Sequence, residues 1–177
     1  NKNLAGGGIL DVGLYPISFS RLIAGVATGE KFLEPKFIDA EARIGETGVD
    51  EVAHANLDFK NGIKAKVSTA VMESMKNNAV ITGSEGTIQL PDPWMPGREG
   101  GPYHAKIIIN KNGDEDIIDV KGPEHLFFFE GELASQCIAK EKTQPPHPAM
   151  TWEDTLGNLQ ALDTWREKVN YKLPQDE

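Results

Sequence analysis

Ala53-His54-Ala55-Asn56-Leu57-Asp58-Phe59-Lys60-Asn61-Gly62-Ile63-Lys64-Ala65-Lys66-Val67 is the stretch on which the fold turns. Ala53, Ala55, Leu57 and Phe59 alternate with His54, Asn56 and Asp58, so apolar and polar side chains fall on opposite faces of a strand. Beyond the turn, Ile63, Ala65, Val67, Thr69 and Val71 again share one face. A two-residue Asn61-Gly62 loop would set Phe59 opposite Lys64 and mix the faces. A three-residue Lys60-Asn61-Gly62 loop with Gly62 left-handed sets Phe59 opposite Ile63 and keeps them apart. The pattern therefore predicts an antiparallel hairpin with one buried face.

The same reading extends outward. Residues 36–44, 50–59, 63–73, 77–83 and 86–90 read as strands, with Gly83 and Gly86 flanking a turn. Lys111-Asn112-Gly113 is expected to repeat the three-residue turn between 104–110 and 114–121. Residues 10–24 read as a helix, with Pro16 in its first turn and Gly25 as its stop. A second helix, about 124–140, carries Leu126, Phe129, Leu133 and Cys137 on one stripe. A third opens at Thr151, with Asp154 completing a capping box, and carries Trp152, Leu156, Leu159, Leu162, Trp165 and Val169. The proline-rich stretches 91–102 and 144–148 read as loops. The expected fold class is α+β, an open and mainly antiparallel sheet with helices packed on one face, in a single domain spanning residues 1–177.

Composition narrows the function. The chain has 177 residues, 39% hydrophobic and 25% charged, ordinary for a globular domain. A net charge of −9 repels phosphates, which argues against nucleic acid and anionic membrane surfaces as partners. The apolar runs Ile107–Ile109 and Leu126–Phe129 fall far short of the roughly 20 residues of a membrane span. Cys137 is the one cysteine, which precludes an intrachain disulfide and points to the cytoplasm. It lies on an apolar stripe and reads as an inert core thiol. His54, His104, His125 and His147 show no metal-ligand spacing, so no metal is expected. The start of the chain, with neither Met nor a signal-type stretch ahead of Gly6-Gly7-Gly8, reads as the beginning of a piece of a longer protein.

Within Gly6-Gly7-Gly8-Ile9-Leu10-Asp11-Val12-Gly13-Leu14-Tyr15-Pro16, a dinucleotide fingerprint fails: no strand precedes it, and Asp11 stands in the third glycine's place. What remains is Asp11 and Tyr15, four apart and hence on one helical face, after glycines that let a helix start approach a ligand. A phenol titrates near 10, so proton transfer near neutrality needs a cation beside it, and no lysine lies within helical reach. On residue types alone, a capping Asp11 with a core Tyr15 is an equal alternative. Trp94, in Pro93-Trp94-Met95-Pro96, reads equally as a ligand contact or as the buried pin of its loop. Trp152 and Trp165 read as core, and Asp114-Glu115-Asp116 as a solvated strand edge.

Gly6 to Ile17 resembles the segment that opens the C-terminal domain of the glucose–fructose oxidoreductase/inositol dehydrogenase/rhizopine-catabolism (Gfo/Idh/MocA) family. Gly48-Val49-Asp50-Glu51, Gly83-Ser84-Glu85-Gly86-Thr87-Ile88 and Pro148-Ala149-Met150-Thr151-Trp152-Glu153-Asp154-Thr155-Leu156-Gly157-Asn158 match further along, in order and spacing. The resemblance implies a separate Rossmann domain that binds NAD or NADP and supplies the lysine of a Glu-Lys-Pro motif. It matches Asp11 to the family's aspartate and Tyr15 to its proton-exchanging histidine or tyrosine. Tyrosine there is similar to the branch holding dimeric dihydrodiol dehydrogenase, xylose dehydrogenase and glucose–fructose oxidoreductase. Gly7, Gly8 and Trp94 are then expected near the substrate. The implied function is hydride transfer to or from a sugar-like polyol or carbonyl, with the chain inactive by itself and assembled into a homodimer or higher oligomer through the sheet. An NAD-dependent glycosidase of the same family and a non-catalytic oligomerisation or partner-binding module are the alternatives.

Overall fold

The computed structural model describes residues 1–96, 102 and 104–176. The fold is α+β with open, antiparallel sheets, and the chain divides into two compact units: residues 1–75 with 146–177, and residues 76–145. Of the loop expected at 91–102, residues 97–101 lie outside the described residues.

In the first unit, β1 (Lys36–Ile44), β2 (Asp50–Asp58) and β3 (Lys64–Ala70) form a sheet in that order. The deciding hairpin folds as its parity demands: the Phe59 N–H donates to the Ile63 carbonyl at 2.8 Å, and Asp58 pairs with Lys64. Both Asn61 (φ 63°) and Gly62 (φ 77°) are left-handed. Ala53, Ala55, Leu57, Phe59 and Val67 are buried with Ile9, Ile17, Ala24, Phe37, Leu162 and Trp165 in one core. That core lies under α1 (Gly8–Asp11), α2 (Leu14–Thr28) and α4 (Trp152–Lys168). The Phe37 and Trp165 rings meet at 6.3 Å between centroids. The opposite face of the sheet is polar, with His54 Nδ1 and Ser68 Oγ 2.7 Å apart and Asn56 donating to Asp39 at 2.7 Å.

In the second unit, β4 (Asn78–Gly83), β5 (Gly86–Pro91), β6 (His104–Lys111) and β7 (Asp114–Lys121) form a sheet in chain order, followed by α3 (Leu126–Ala139). The Lys111-Asn112-Gly113 segment departs from expectation. Lys111 pairs directly with Asp114, so the loop is the two residues Asn112 (φ 55°) and Gly113 (φ 91°). That register sets Ile107 opposite Ile118 and Ile108 opposite Ile117. A three-residue loop would have set Ile108 against Asp116, and cross-strand apolar pairing favours the shorter turn. Asp114, Glu115 and Asp116 are exposed on the edge strand β7, as read from the sequence.

The N-terminal helix also differs. It breaks at Val12-Gly13, with a 41° bend between Lys2–Asp11 and Leu14–Thr28. A Cβ at Gly13 would lie 2.4 Å from the Ile9 carbonyl oxygen, so glycine is what allows the second helix to start so close to the first. Pro16 does sit in the first turn of α2. Gly25 is no stop: the helix runs on to Gly29, which is left-handed at φ 78°, while a Cβ at Gly25 would lie 2.4 Å from the Phe32 Cα. Gly25 lets the returning chain cross the helix.

The capping box of α4 forms, with the Asp154 N–H donating to Thr151 Oγ1 at 3.2 Å. Its apolar stripe, however, divides. Leu162 and Trp165 are core, whereas Leu156, Leu159 and Trp152 (60% exposed) are not. The buried face is centred instead on Asn158, Ala161 and Arg166, because it closes on a charge. In α3, Cys137 is buried, but Phe129 joins Phe127 and Phe128 among the exposed aromatics.

That charge is Arg21 of α2, 1% exposed. Its guanidinium donates to Glu34 at 2.5 and 3.1 Å, to the Asp154 carbonyl at 3.1 Å and to Asn158 Oδ1 at 2.7 Å. It also stacks on the Phe32 ring. An unpaired buried cation costs several kcal/mol, on the order of 3–5 when one partner is removed, so these acceptors fix how α2 and α4 pack.

A Cβ at Gly157 would lie 2.1 Å from Arg21 Nη2, and the pinned guanidinium cannot step aside. Gly131 of α3 has open space around it. Alanine favours a helix over glycine by about 1 kcal/mol. Gly131→Ala should therefore raise the thermal midpoint, whereas Gly157→Ala should lower it despite the same intrinsic gain. Circular dichroism melts of the two variants check the opposite signs.

Candidate active site

The tri-glycine turn is gripped from three sides by buried polar groups. Asp50, at the start of β2, is 0% exposed, and its Oδ2 accepts the Ile9 N–H at 2.8 Å. Thr69 of β3, also buried, donates its hydroxyl to the Gly8 carbonyl at 3.0 Å. Tyr171, from the segment after α4, donates its hydroxyl to the Gly6 carbonyl at 2.7 Å. Arg166 steadies that segment, donating to the Tyr171 carbonyl at 3.3 Å and to Asp176 at 2.7 Å. Gly7 is held at φ 110°, and a Cβ on it would lie 2.2 Å from Asp50 Oδ1. The glycines of this turn are thus spaces that admit a carboxylate.

Asp50 Oδ1 has no hydrogen-bond partner among the described residues. Burial pushes the Asp50 carboxyl above the ordinary aspartate value, against the opposing pull of the Ile9, Asp50 and Gly8 amides. A carboxyl raised in the folded state contributes stability below its unfolded pKa, and that contribution is lost as pH rises through the folded value. The ionised form is therefore held at a cost to folding. Burial, followed by the charge of Asp50, raises the Tyr171 phenol, so Tyr171 stays a donor.

This gripped turn leads directly into the two residues singled out by the sequence. Asp11 is the last residue of α1 and exposed; Tyr15 is the second residue of α2 and 47% exposed. They do not share one helical face as expected, since the break at Val12-Gly13 falls between them. They are instead presented on either side of a fixed bend. Tyr15 is not a core residue. Gly7 and Gly8 are buried behind the bend against Asp50 and Thr69. Trp94 belongs to the second unit, in the chain after β5, and is half-buried.

Asp50 was not singled out as a functional residue in the sequence. By simple alternation it falls with His54, Asn56 and Asp58 on the polar face, but the register shifts between Val52 and Asp50, and Asp50 is buried beneath the glycine turn. Two signals touched it: the run of three glycines, which calls for something pressing close, and Gly48-Val49-Asp50-Glu51 among the stretches that match the family. Of the histidines, His104 pairs with Asp119 at 2.9 Å and holds that carboxyl below its usual range, and His125 caps α3.

The family model described as GFO/IDH/MocA C-terminal domain matches residues 1–89. The chain is 38% identical over 188 residues to trans-1,2-dihydrobenzene-1,2-diol dehydrogenase of Danio rerio, covering 99% of this chain and 50% of that protein. It is 26% identical over 180 residues to the Mus musculus enzyme of the same name, covering 98% and 49%. The chain thus spans about half the length of the curated relatives it matches. Among solved structures, it superposes with a TM-score of 0.75 and 21% identity on a 3-ketoreductase from Actinomadura kijaniata in complex with NADP and TDP-benzene, covering 93% of this chain and 46% of that one. A UDP-N-acetylglucosamine 3-dehydrogenase from Acidithiobacillus ferrooxidans superposes with a TM-score of 0.60 at 15% identity, covering 91% and 46%. At these identities the likeness shows a shared fold. With the family model matching half of its length, this chain belongs to the GFO/IDH/MocA C-terminal domain family.

Proposed function

We propose that the chain is the substrate-side half of an NAD(P)-dependent oxidoreductase, in which Tyr15 exchanges the hydroxyl proton of a sugar-like polyol or carbonyl substrate and Asp11 orients that exchange. The observation that carries this reading is the half-exposed Tyr15, set across the bend from an exposed Asp11 and following a turn whose backbone is held by three buried side chains. The dehydrogenase and ketoreductase relatives support the reaction class.

The tri-glycine turn does not fit a dinucleotide's phosphates. Its Gly7 Cα faces the Asp50 carboxylate, and a phosphate there would meet like charge. The nicotinamide, held outside this chain, supplies the hydride chemistry; the residues of this chain supply the proton. Tyr15 moves a proton at its Oη. Asp11, an acceptor in its ionised form, can take a substrate hydroxyl hydrogen bond and so fix the carbinol oxygen before Tyr15.

Self-association belongs to the same proposal. Cross-strand register places Ala79, Ile81, Ile88, Leu90, Ile107, Ile109, Ile118 and Val120 on one face of the β4–β7 sheet. Ile88 and Ile118 remain 36% and 44% exposed there. A contiguous apolar face of this kind marks an interface, and a second copy of the sheet matches it face to face. Light scattering of the full-length protein at high micromolar concentration should give a dimer or larger, reduced towards monomer by Ile118→Lys. A strictly monomeric wild type rules this out.

Tyr15→Phe in the full-length enzyme removes only the hydroxyl. Turnover should fall by about a hundred- to ten-thousandfold, the usual loss of a general acid or base. The thermal midpoint should hardly move, because ring volume is conserved at a half-exposed position. Asp11→Asn should cost less, as an orienting residue. Measuring kcat and melting temperature on the same protein decides it: near-normal turnover removes Tyr15 from the mechanism.

A further inference from the structure

We propose that Asp50 is a positioning residue of this site, its buried carboxylate setting the placement of Asp11 and Tyr15 by fixing the Gly7-Gly8-Ile9 backbone on which the bend is built. The inference rests on the reading of Tyr15 given above.

The geometry supplies the chain of contacts. Asp50 Oδ2 holds the Ile9 N–H at 2.8 Å, at the start of α1, and Asp11 ends that four-residue helix. The Asp11 N–H donates in turn to the Gly7 carbonyl at 3.0 Å. The Gly13 N–H donates to the Gly8 carbonyl at 2.9 Å, and the Tyr15 N–H to the Val12 carbonyl at 3.2 Å. Two backbone hydrogen bonds thus run from residues touching Asp50 to the break between the candidate pair. Ile9, 0% exposed, anchors the same turn in the core. Gly7 and Gly8 lie so close to the Asp50 carboxylate that a Cβ on either would meet its oxygens, and the Thr69 hydroxyl holds the Gly8 carbonyl.

A role in stability alone fits the site poorly. The carboxylate is fully buried, has no cationic partner in contact with it, and leaves Oδ1 unpartnered among the described residues. Burial also raises its pKa, so ionisation near neutral pH works against folding. Retaining a group held at such a cost is expected where the backbone placement it enforces serves the reaction.

The test uses the full-length enzyme with Asp50→Asn, Asp50→Ala, Tyr15→Phe and the double variant Asp50→Asn/Tyr15→Phe. Asparagine keeps the volume and one acceptor oxygen for Ile9 but turns its other polar atom into a donor facing backbone amides. Asp50→Asn should lower kcat about ten- to a hundredfold, the scale of an ångström-sized misplacement, and Asp50→Ala should lower it further. The KM for NAD(P)H should stay within about twofold, since cofactor binding lies elsewhere. Because Asp50 acts through Tyr15 and Asp11, the double variant should be slower than Tyr15→Phe alone by much less than the factor Asp50→Asn costs by itself.

Rates are taken well below each variant's melting temperature. Wild-type kcat in Asp50→Asn, with only its melting temperature changed, overturns the proposal; this isosteric variant decides the matter even if Asp50→Ala does not fold. A double variant slower than Tyr15→Phe by the full single-mutant factor also overturns it. If Tyr15→Phe itself turns over normally, the proton-carrier reading fails first. If Tyr15→Phe is slow and Asp50→Asn is normal, that reading stands and the role of Asp50 alone fails.

Discussion

Among the described residues no cation touches the unexposed Asp50 carboxylate, so it can be tolerated only if backbone amides come to it, and the glycine turn of the first unit brings the Ile9 amide. A side chain at residue 7 would prevent this, and one at residue 8 would crowd Asp50 and Thr69. The approach forces Gly7 into a left-handed conformation open only to glycine, so the backbone leaves the turn in one direction. Ile9 then drops into the core and the short α1 begins. The place of the candidate proton carrier follows from where a buried aspartate can accept the Ile9 amide.

Arg21 imposes the corresponding constraint on the helices. A buried guanidinium has five N–H donors and must find acceptors for them. Glu34 comes from the chain after α2 and Asp154 and Asn158 from α4, so satisfying Arg21 brings that chain and the first turns of α4 together. Gly157 is the steric consequence, as Gly7 is for Asp50. Both are close approaches of a charged side chain to a backbone. The C-terminal segment follows a third such charge, since Arg166 holds Tyr171 and Tyr171 closes on Gly6. Two buried cations and one buried anion thus set the frame into which the apolar core fits.

Period-two patterning in the sequence carried the strands because one face of each sheet is apolar and the turns are punctuated by glycine and asparagine. The hairpin at Phe59-Ile63 followed from parity alone. The identical Lys-Asn-Gly at 111–113 did not, because isoleucines stand on both faces of β6 and β7 and leave parity undecided until the strands pair. Trp152, Leu156 and Leu159 read as core because periodicity reports an apolar face without saying what covers it. Asp11 and Tyr15 were legible as residue types at a meaningful spacing. The bend between them was not, since it depends on how closely Gly13 approaches Ile9, a tertiary distance. The role of Asp50 was hidden for the same reason: Gly48-Val49-Asp50-Glu51 matched as a motif, but the burial of Asp50 comes from a segment more than forty residues away.

The glycine turn resembles a dinucleotide fingerprint only in composition, and the difference is electrostatic. In a phosphate-binding turn, glycines clear space so that amides can meet an anion from the ligand. Here the anion is the protein's own, and it already takes the Ile9 amide that a phosphate would seek. The turn is thereby closed to phosphate and made rigid instead. Rigidity is what a proton-transfer residue needs, because the rate depends on holding donor and acceptor within a few tenths of an ångström of the productive distance. A hydride carrier with two phosphates makes the opposite demand, for uncommitted amides and positive potential. Those two demands are not met by one turn on an acidic domain, which favours the proposed separation of proton handling from cofactor binding.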